Sequence, residues 1–396
     1  MTSRTIGVPE RRARLARRHF LATENDAPDP LTVARAIVAY HATDPASVYL
    51  AAAARTGFAA PVALDAALYD DRTLVRILGM RRTMFVVPTD LRPAVQTACT
   101  DAIAVNERRQ TIKMISEGGI TDNAAAWLDR AAADVLRVLA ERGEATTQQI
   151  AEAVPQLREQ IVLARGKPYE SKTTMAPRVL YQVSAEGRVV RTRPVKSWTS
   201  ANRWALTEAW LGQAPSDIPM AEAEQQLASA WLHAFGPGTL ADFKWWAGWT
   251  ISRVRDVLAA VGAAEVGLDG GEAGYVLPDD VEPVAEPEPW TAFLPSLDPA
   301  VMGWAMSGRD WYLTGPARNH LYDRSGNIGP TVWWDGRVVG GWAQRTDGAI
   351  AYRLFEDIGS DGTTMVAETA GTLEAWLGEV RVKPRFPTPI DKELSA

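Results

Sequence analysis

The fold is decided by two segments, residues 125–154, AAWLDRAAADVLRVLAERGEATTQQIAEAV, and residues 177–206, PRVLYQVSAEGRVVRTRPVKSWTSANRWAL. The first segment has helical periodicity as far as Arg142 and stops at Gly143, where a left-handed residue can end the helix. Adjacent threonines then precede a second helix, predicted over Gln148–Val154. Two helices separated by a short break are the first half of a helix-turn-helix unit.

The second segment completes that unit. It predicts a helix over Pro177–Ala185, ended by Gly187, and two strands over Arg188–Arg193 and Asn202–Leu206. Three helices followed by a hairpin are typical of a winged helix, which binds DNA in most of its occurrences. The alternative is a structural or protein-binding use of the same unit.

The same order of elements, helices followed by a hairpin, is predicted in two other parts of the chain. Before it, we predict the helices Val33–Tyr40 and Ala46–Arg55, a short third helix, and then the strands Leu74–Leu78 and Thr83–Val87. After it come Glu222–Phe235, a helix that starts at the Thr239 and Asp242 pair, Ile251–Val261, and a hairpin through Asp269-Gly270-Gly271. The chain therefore contains three similar units.

The rest of the chain has a different character. Residues Asp279–Pro289 are acidic and proline-rich without lysine or arginine, which predicts a solvated spacer. Beyond them, Val332–Val339 contains an Asp-Gly hairpin signal, Ala349–Phe355 predicts another strand, and Thr372–Val380 predicts a closing helix. A small barrel, or a sheet with one helix, fits this pattern.

The predicted fold class is therefore α+β, with tandem winged-helix units followed by a C-terminal β-rich, barrel-like domain. The predicted boundaries are residues 1–120 for the first winged helix, 121–215 for the second, 216–281 for the third, and 282–396 for the β domain. The second winged helix contains a basic insert, Leu157–Thr174.

Charge is unevenly distributed along the chain. The whole protein has a net charge of −6, but between Leu157 and Trp204 ten basic residues face three acidic ones. Such an island suits contacts to phosphates, although an ordinary solvated face would also be basic. The residues that we predict to bind DNA lie here and in the first hairpin: Arg81, Arg82, Arg165, Lys167, Lys172, Arg178, Arg191, Arg193 and Lys196.

Composition also excludes several classes of site. The single cysteine, Cys99, rules out an internal disulfide and any zinc site built on cysteines, and the four histidines are too scattered to predict a metal site. We expect no metal and no organic cofactor. Since no apolar run is long enough to span a membrane, we expect a cytoplasmic protein, associated with the nucleoid when it is bound to DNA.

The candidate catalytic residues are His41, Thr43 and Asp44, which lie between two predicted helices. On local evidence alone, capping is the favoured interpretation, because Asp44 precedes Pro45 as an N-cap precedes a first helical residue. The functional alternative is a polar cluster exposed at a helix-to-helix junction.

Several motifs, in order, resemble a known family. His41-Ala42-Thr43-Asp44-Pro45 resembles a Gln-x-Gln-x-Pro segment, and Met80–Phe85 resembles a Met-Arg-Gly-Thr-Leu-His strand in which Arg82 replaces glycine and Phe85 replaces histidine. Ala234–Thr239, Leu294–Pro299, and Asn327–Pro330 with Asp335–Gly340 continue the likeness. The chain is similar to the winged-helix DNA-binding family of AlkZ- and YcaQ-type DNA glycosylases.

That resemblance implies a monomeric enzyme that binds double-stranded DNA in a basic channel and cleaves the N-glycosidic bond of alkylated or crosslinked purines. The family's catalytic pair, Gln-x-Gln or Gln-x-Asp, corresponds to His41 and Thr43, and Asp44 is adjacent. The alternative is a non-enzymatic DNA-binding protein, either a regulator or a resistance factor that sequesters lesions.

Overall fold

The computed structural model describes residues 4–22, 26–59, 61–163, 166, 170–198, 200–212 and 218–395. Its contacts divide the chain into two compact units. The larger unit comprises Met1–Leu74, Phe85–Thr89 and Glu224–Ala396, and the smaller unit comprises Val75–Met84 and Asp90–Ala223. The finer division into four domains stays a prediction.

The α-helices and β-strands are interspersed along the chain. The helices are α1 (Val8–Arg18), α2 (Pro30–Ala36), α3 (Pro45–Ala53), α4 (Pro61–Asp65), α5 (Arg92–Val95), α6 (Asp101–Glu117), α7 (Ala124–Arg142), α8 (Thr147–Ala153), α9 (Ala176–Ala185), α10 (Thr207–Leu211), α11 (Met220–Phe235), α12 (Leu240–Ala247), α13 (Ile251–Ala260), α14 (Pro299–Met302), α15 (Gly315–Leu321), α16 (Gly359–Leu377) and α17 (Pro389–Leu394). The strands are β1 (Thr5–Ile6), β2 (Tyr40–His41), β3 (Leu74–Leu78), β4 (Met84–Pro88), β5 (Glu144–Thr146), β6 (Gln160–Leu163), β7 (Ser171–Thr174), β8 (Val189–Pro194), β9 (Asn202–Leu206), β10 (Ala264–Leu268), β11 (Ala273–Val276), β12 (Thr291–Leu294), β13 (Thr331–Trp334), β14 (Arg337–Gln344) and β15 (Ile350–Leu354). The fold is a mixed α+β fold, as predicted.

The smaller unit packs α7, α8 and α9 around a three-stranded sheet with the order β5-β9-β8. Helix α7 is amphipathic, and buried side chains such as Leu128, Val135 and Leu139 recur on its inner face. Helix α8 starts in a reciprocal cap, in which Thr146 accepts from the amide of Gln149 and the Gln149 side chain accepts from the amide of Thr146. The elements have the predicted order, while their classification as a winged helix stays a prediction.

The larger unit contains a hairpin that strand β1, near the N-terminus, extends to a three-stranded sheet. Strands β10 and β11 follow α11, α12 and α13, as predicted, and β1 joins them by parallel pairing with β10. Helix α12 starts at the predicted cap, where Thr239 and Asp242 satisfy each other's backbone amides. The two-residue strand β1 is too short to be predicted from sequence periodicity.

The C-terminal region is an open sheet, so the expectation of a barrel is wrong. Its strands have the order β12-β13-β14-β15, and β12 and β15 are its edges. Strand β14 is buried at seven of its eight positions, which means that both faces of the sheet are covered. Helix α16 packs on β12, β13 and β15, and α17 packs on β14 and β15. Covering by helices replaces closure as the way of burying this sheet.

Helix α16 begins 13 residues before the predicted start of the closing helix at Thr372. Its first turn, Gly-Ser-Asp-Gly, has low helix propensity, so the sequence pattern does not predict a helix that starts there. Gly362 explains part of that composition, because a Cβ at this position would lie 3.1 Å from the Trp334 ring. The glycine therefore permits close packing of the helix on the sheet.

The segment Asp279–Pro289 has mostly exposed side chains, as predicted for a solvated spacer, but it is not unattached, because α1 binds it. Arginines of α1 bind this segment: Arg14 and Arg18 contact the Asp280 carboxylate at 2.8 and 2.5 Å. Arg14 also donates to the carbonyl of Glu282, and Arg17 to the carbonyl of Ala285. The basic N-terminal helix therefore holds the acidic segment in place by its backbone, while the side chain of Glu282 stays exposed.

Candidate functional site

Asp44 caps α3 and connects it to a distant part of the chain. Its Oδ1 accepts from the amide of Ala46 at 3.1 Å, and its Oδ2 accepts from the amide of Arg385 at 2.9 Å. The Arg385 guanidinium donates to the carbonyl of Thr43 at 3.2 Å. The capping interpretation of the sequence is thus confirmed for Asp44, and Arg385, which the sequence did not single out, fixes the same turn from 341 residues away.

The Asp44 carboxyl group has an unusual environment for an N-cap. It is 5% exposed, and burial raises its pKa, while the hydrogen bonds from Arg385 and Ala46 oppose that shift. Each of its oxygens accepts one hydrogen bond from protein and keeps a lone pair, so Asp44 can also accept a hydrogen bond from a water or a substrate.

His41 lies deeper than expected. The sequence analysis placed it at an exposed junction, but the residue is 4% exposed on β2, which pairs with β4 so that His41 is opposite Phe85. The two rings meet edge to face, with centroids 5.0 Å apart. At both positions the chain departs from the motifs that it resembles, which have Gln and His there. The two side chains that replace them, His41 and Phe85, are in contact.

Thr43 lies between His41 and Asp44 in the sequence and is half-buried. Its hydroxyl Oγ1 is inaccessible to solvent and has no hydrogen-bond partner among the described residues. A buried hydroxyl without a partner costs about 1–3 kcal/mol, so a ligand or a water that bonds it would recover that energy.

Asp44 lines a small cavity in the larger unit together with Ser47, Ser296 and Lys383. The cavity measures about 20 Å³, which is enough for one water molecule. Ser296 is 3% exposed, and its hydroxyl has no hydrogen-bond partner among the described residues. Ser296 belongs to the Leu294–Pro299 motif, but nothing in the local sequence indicates that it lies beside Asp44.

Arg81 and Arg82 form the turn between β3 and β4, and both have left-handed backbone, with φ of +53° and +62°. Such angles strain residues other than glycine, and glycine is the residue that the resembled motif has at position 82. The Arg82 guanidinium pairs with Glu107 at 2.7 Å and lies 6.0 Å from the Tyr181 ring centroid. Because Arg82 is 55% exposed, it remains accessible to a phosphate.

The other predicted DNA contacts lie mostly on α9 and the hairpin that follows it. Arg178 is on α9, Arg191 and Arg193 are on β8, and the exposed Lys196 follows β8. Lys172 is exposed on β7 of the basic insert. Arg165 and Lys167 lie outside the described residues. The described residues of this set belong to the smaller unit, whereas Asp44 belongs to the larger unit.

The described ranges contain neither a candidate metal site nor a membrane-spanning helix. Within those ranges, no group of three or more His, Cys, Asp or Glu side chains is placed to hold a metal ion. No helix in the same ranges has the length and apolarity needed to cross a membrane.

Comparisons with known proteins identify the family. The model of a family described as DNA glycosylase AlkZ-like matches residues 34–376. Among solved structures, the DNA glycosylase AlkZ of Streptomyces sahachiroi is similar in fold, with a TM-score of 0.71 and 18% identity over 93% of this chain and 97% of that chain. No curated protein matches the sequence.

Proposed function

Since the chain belongs to the AlkZ-like DNA glycosylase family, we propose that it hydrolyses the N-glycosidic bond of alkylated or crosslinked purines in double-stranded DNA. The observation that carries the proposal is the place of the only carboxylate in the candidate cluster. Asp44 is buried beside a water-sized cavity, next to the positions that match the family's catalytic pair.

The reaction needs a water, an acceptor for its proton and compensation for positive charge. Water adds to C1′ of the sugar as the bond from C1′ to the purine nitrogen breaks, and one proton of the water is released. An N7-alkylated purine carries a positive charge and leaves as a neutral base. The transition state therefore places positive charge on the sugar, where a nearby carboxylate stabilises it.

We assign the roles from the geometry of the cluster. Asp44 stabilises the developing charge and accepts the proton, for which a raised pKa is suited. Thr43 donates its unpartnered hydroxyl to the attacking water. His41 is a positioning residue: buried against Phe85, it holds the end of β2, from which the chain leads to Thr43.

DNA affinity is assigned to the smaller unit. The exposed or half-buried cations on α9, β8 and the insert contribute contacts to phosphates, which release counterions and carry little sequence information. A cationic leaving group needs little help, so a site without the family's glutamines is sufficient for this reaction.

The proposal is tested by incubating the protein with duplex DNA that contains N7-methylguanine or a nitrogen-mustard crosslink and measuring the released base. His41→Ala should reduce release by ~100-fold through misplacement of Thr43. His41→Gln combined with Thr43→Gln restores the family's pair and should raise release above wild type.

The same assay separates the enzyme from the alternative. Tight binding to alkylated duplexes by the wild type and the glutamine variant, with no base released by either, would assign the chain to the non-enzymatic class of DNA-binding proteins. An equal loss of DNA binding in His41→Ala would mean that the substitution unfolded the protein, and circular dichroism checks for that.

A further inference from the structure

A pocket of about 200 Å³ lies beside the hydrolytic cluster of His41, Thr43 and Asp44 in the larger unit. Its walls come from the end of β14, from residues 382–387 and from α17. It shares five lining residues with the small cavity that Asp44 lines: Ala343, Gln344, Val382, Lys383 and Pro384. The pocket and the cluster are therefore neighbours, although the proposed hydrolysis gives the pocket no role.

The chain is fixed on both sides of Lys383. Before it, the amide of Val382 donates to the Gln344 side chain at 2.9 Å, and the buried Gln344 donates in turn to two backbone carbonyls. After it, the amide of Arg385 donates to the Asp44 carboxylate at 2.9 Å. Because these bonds tie one short segment both to β14 and to the start of α3, Lys383 keeps a defined place next to Asp44.

Three cations at the pocket are available to an anion. Lys383 and Lys392 are exposed, line the pocket and form no ion pair in the part of the chain that the structure describes. Arg385 is also exposed, and its guanidinium donates to the carbonyl of Thr43, which leaves further N–H groups for a ligand. We call Lys383, Arg385 and Lys392 the C-terminal basic surface.

The pocket is suited to an anion although a carboxylate lines it. That carboxylate, Asp391, is 2% exposed, and one of its oxygens accepts from the amide and the hydroxyl of Thr388 at 2.8 and 2.7 Å. Its other oxygen is inaccessible to solvent. The exposed Thr346 adds a hydroxyl to the two lysines. Ammonium and hydroxyl groups around a shielded carboxylate suit the oxygens of a phosphate.

We infer that the C-terminal basic surface binds phosphates of the DNA strand that carries the lesion and thereby places the sugar of the lesion at Asp44. Phosphate contacts fix the register of a protein on DNA, which a hydrolytic site needs. Charge supports the same conclusion, because a cation beside a group that stabilises positive charge on the sugar would oppose the reaction unless a phosphate neutralised it. The inference rests on the proposed function and adds to the phosphate contacts that we assign to the smaller unit.

The salt dependence of DNA binding tests this surface. Each phosphate contact contributes ~0.9 to the slope of log K against log salt. Raising salt from about 50 to about 200 mM should therefore weaken binding by the wild type about 3.5-fold more than binding by Lys383→Gln. When Lys392→Gln is added to that variant, the difference from the wild type should be about 12-fold. Fluorescence anisotropy with a labelled duplex measures these affinities.

The matched control is Arg353→Gln. Arg353 is a partly exposed cation of the same region, but Glu393 neutralises it at 2.7 Å, and it does not line the pocket. This variant should keep the wild-type salt slope. Circular dichroism checks that all variants are folded, so that a changed slope cannot come from unfolding.

A second arm locates the contact on the DNA. The duplex contains a tetrahydrofuran abasic analogue, which cannot be hydrolysed, and each phosphate that flanks it is replaced in turn by an uncharged methylphosphonate. At the phosphate that Lys383 binds, the replacement should weaken binding by the wild type severalfold. It should leave binding by Lys383→Gln unchanged, because that variant has already lost the contact.

An unchanged salt slope in both lysine variants would overturn the inference, as would a methylphosphonate effect that is equal in the wild type and Lys383→Gln at every flanking phosphate. Base release from N7-methylguanine duplex is measured separately, so that the two proposals can fail independently. Coupling between Lys383 and a phosphate without base release would keep the surface and contradict the hydrolysis. Release without coupling would overturn the inference alone, and a wild type that binds no duplex would overturn both.

Discussion

Helix α3, which Asp44 caps, is held at its other end by a buried ion pair. The Arg55 guanidinium meets the Asp298 carboxylate in a bidentate contact, at 2.9 and 2.7 Å, and neither side chain is exposed to solvent. Removing one partner leaves an uncompensated buried charge, which costs about 3–5 kcal/mol. Asp298→Asn is the better variant, because asparagine can still cap α14 through the amide of Ala300.

The larger unit has about 250 residues, a size at which 1 kcal/mol moves Tm by about 2–4 °C. Asp298→Asn should therefore lower Tm by roughly 6–20 °C in a thermal unfolding experiment followed by circular dichroism. The control is Glu393→Gln, which removes a half-exposed partner of Arg353 and should change Tm by less than about 2 °C. A fall of similar size in both variants would refute the assignment of Arg55 and Asp298 as the anchor of α3.

Three further predictions follow from charges placed elsewhere. Asp280→Asn should destabilise the protein by about 1–3 kcal/mol in urea unfolding, because it removes the negative charge that Arg14 and Arg18 share. Glu286→Gln, at an exposed side chain, should have no measurable effect, and equal effects of the two variants would contradict the docking of this segment. Burial raises the pKa of Asp391 to about 6, so its protonated form favours the folded state, and this contribution is lost as pH rises from about 4 to about 6. Asp391→Asn should accordingly gain stability relative to wild type over that interval, and a Tm difference that does not vary with pH would disprove the shift. Lys172→Ala should weaken binding to every duplex alike and reduce the slope of log K against log salt by up to ~0.9, which a titration by fluorescence anisotropy measures; an unchanged slope would place this side chain away from the phosphates.

Local signals predicted much of the secondary structure. Helix α7 and strand β9 lie within a residue of their predicted bounds, because periodicity, caps and terminal glycines act over a few residues. The Asp335-Gly336 hairpin is also confirmed, with both residues at positive φ. By contrast, Tyr40 belongs to β2, although the sequence placed it at the end of a helix, because strand pairing with Val86 overrides local propensity.

Local sequence patterns could not predict contacts between residues that are far apart in the chain. The sequence could place Asp44 at a cap, but it could not show Arg385 bonded to the same carboxylate or Ser296 beside it. No local pattern pairs Arg14 of α1 with Asp280, which lies 266 residues further along the chain. His41 is the clearest case, since its burial depends on Phe85 in another strand.

The most direct test of the central claim is single-turnover release of N7-methylguanine from duplex DNA by wild type and Asp44→Asn. Asparagine removes the charge and keeps one acceptor oxygen, so it can retain the hydrogen bond from Ala46 or the one from Arg385, but not both. We predict release by the wild type and a loss of ~100-fold or more in the variant, the scale of acid–base and charge stabilisation by one group, with DNA affinity near wild type. The lost hydrogen bond should cost about 1–3 kcal/mol, so a Tm measurement shows that the variant is still folded at the assay temperature. Equal release by the two proteins would contradict the role of Asp44, and no release by either would contradict the glycosylase itself.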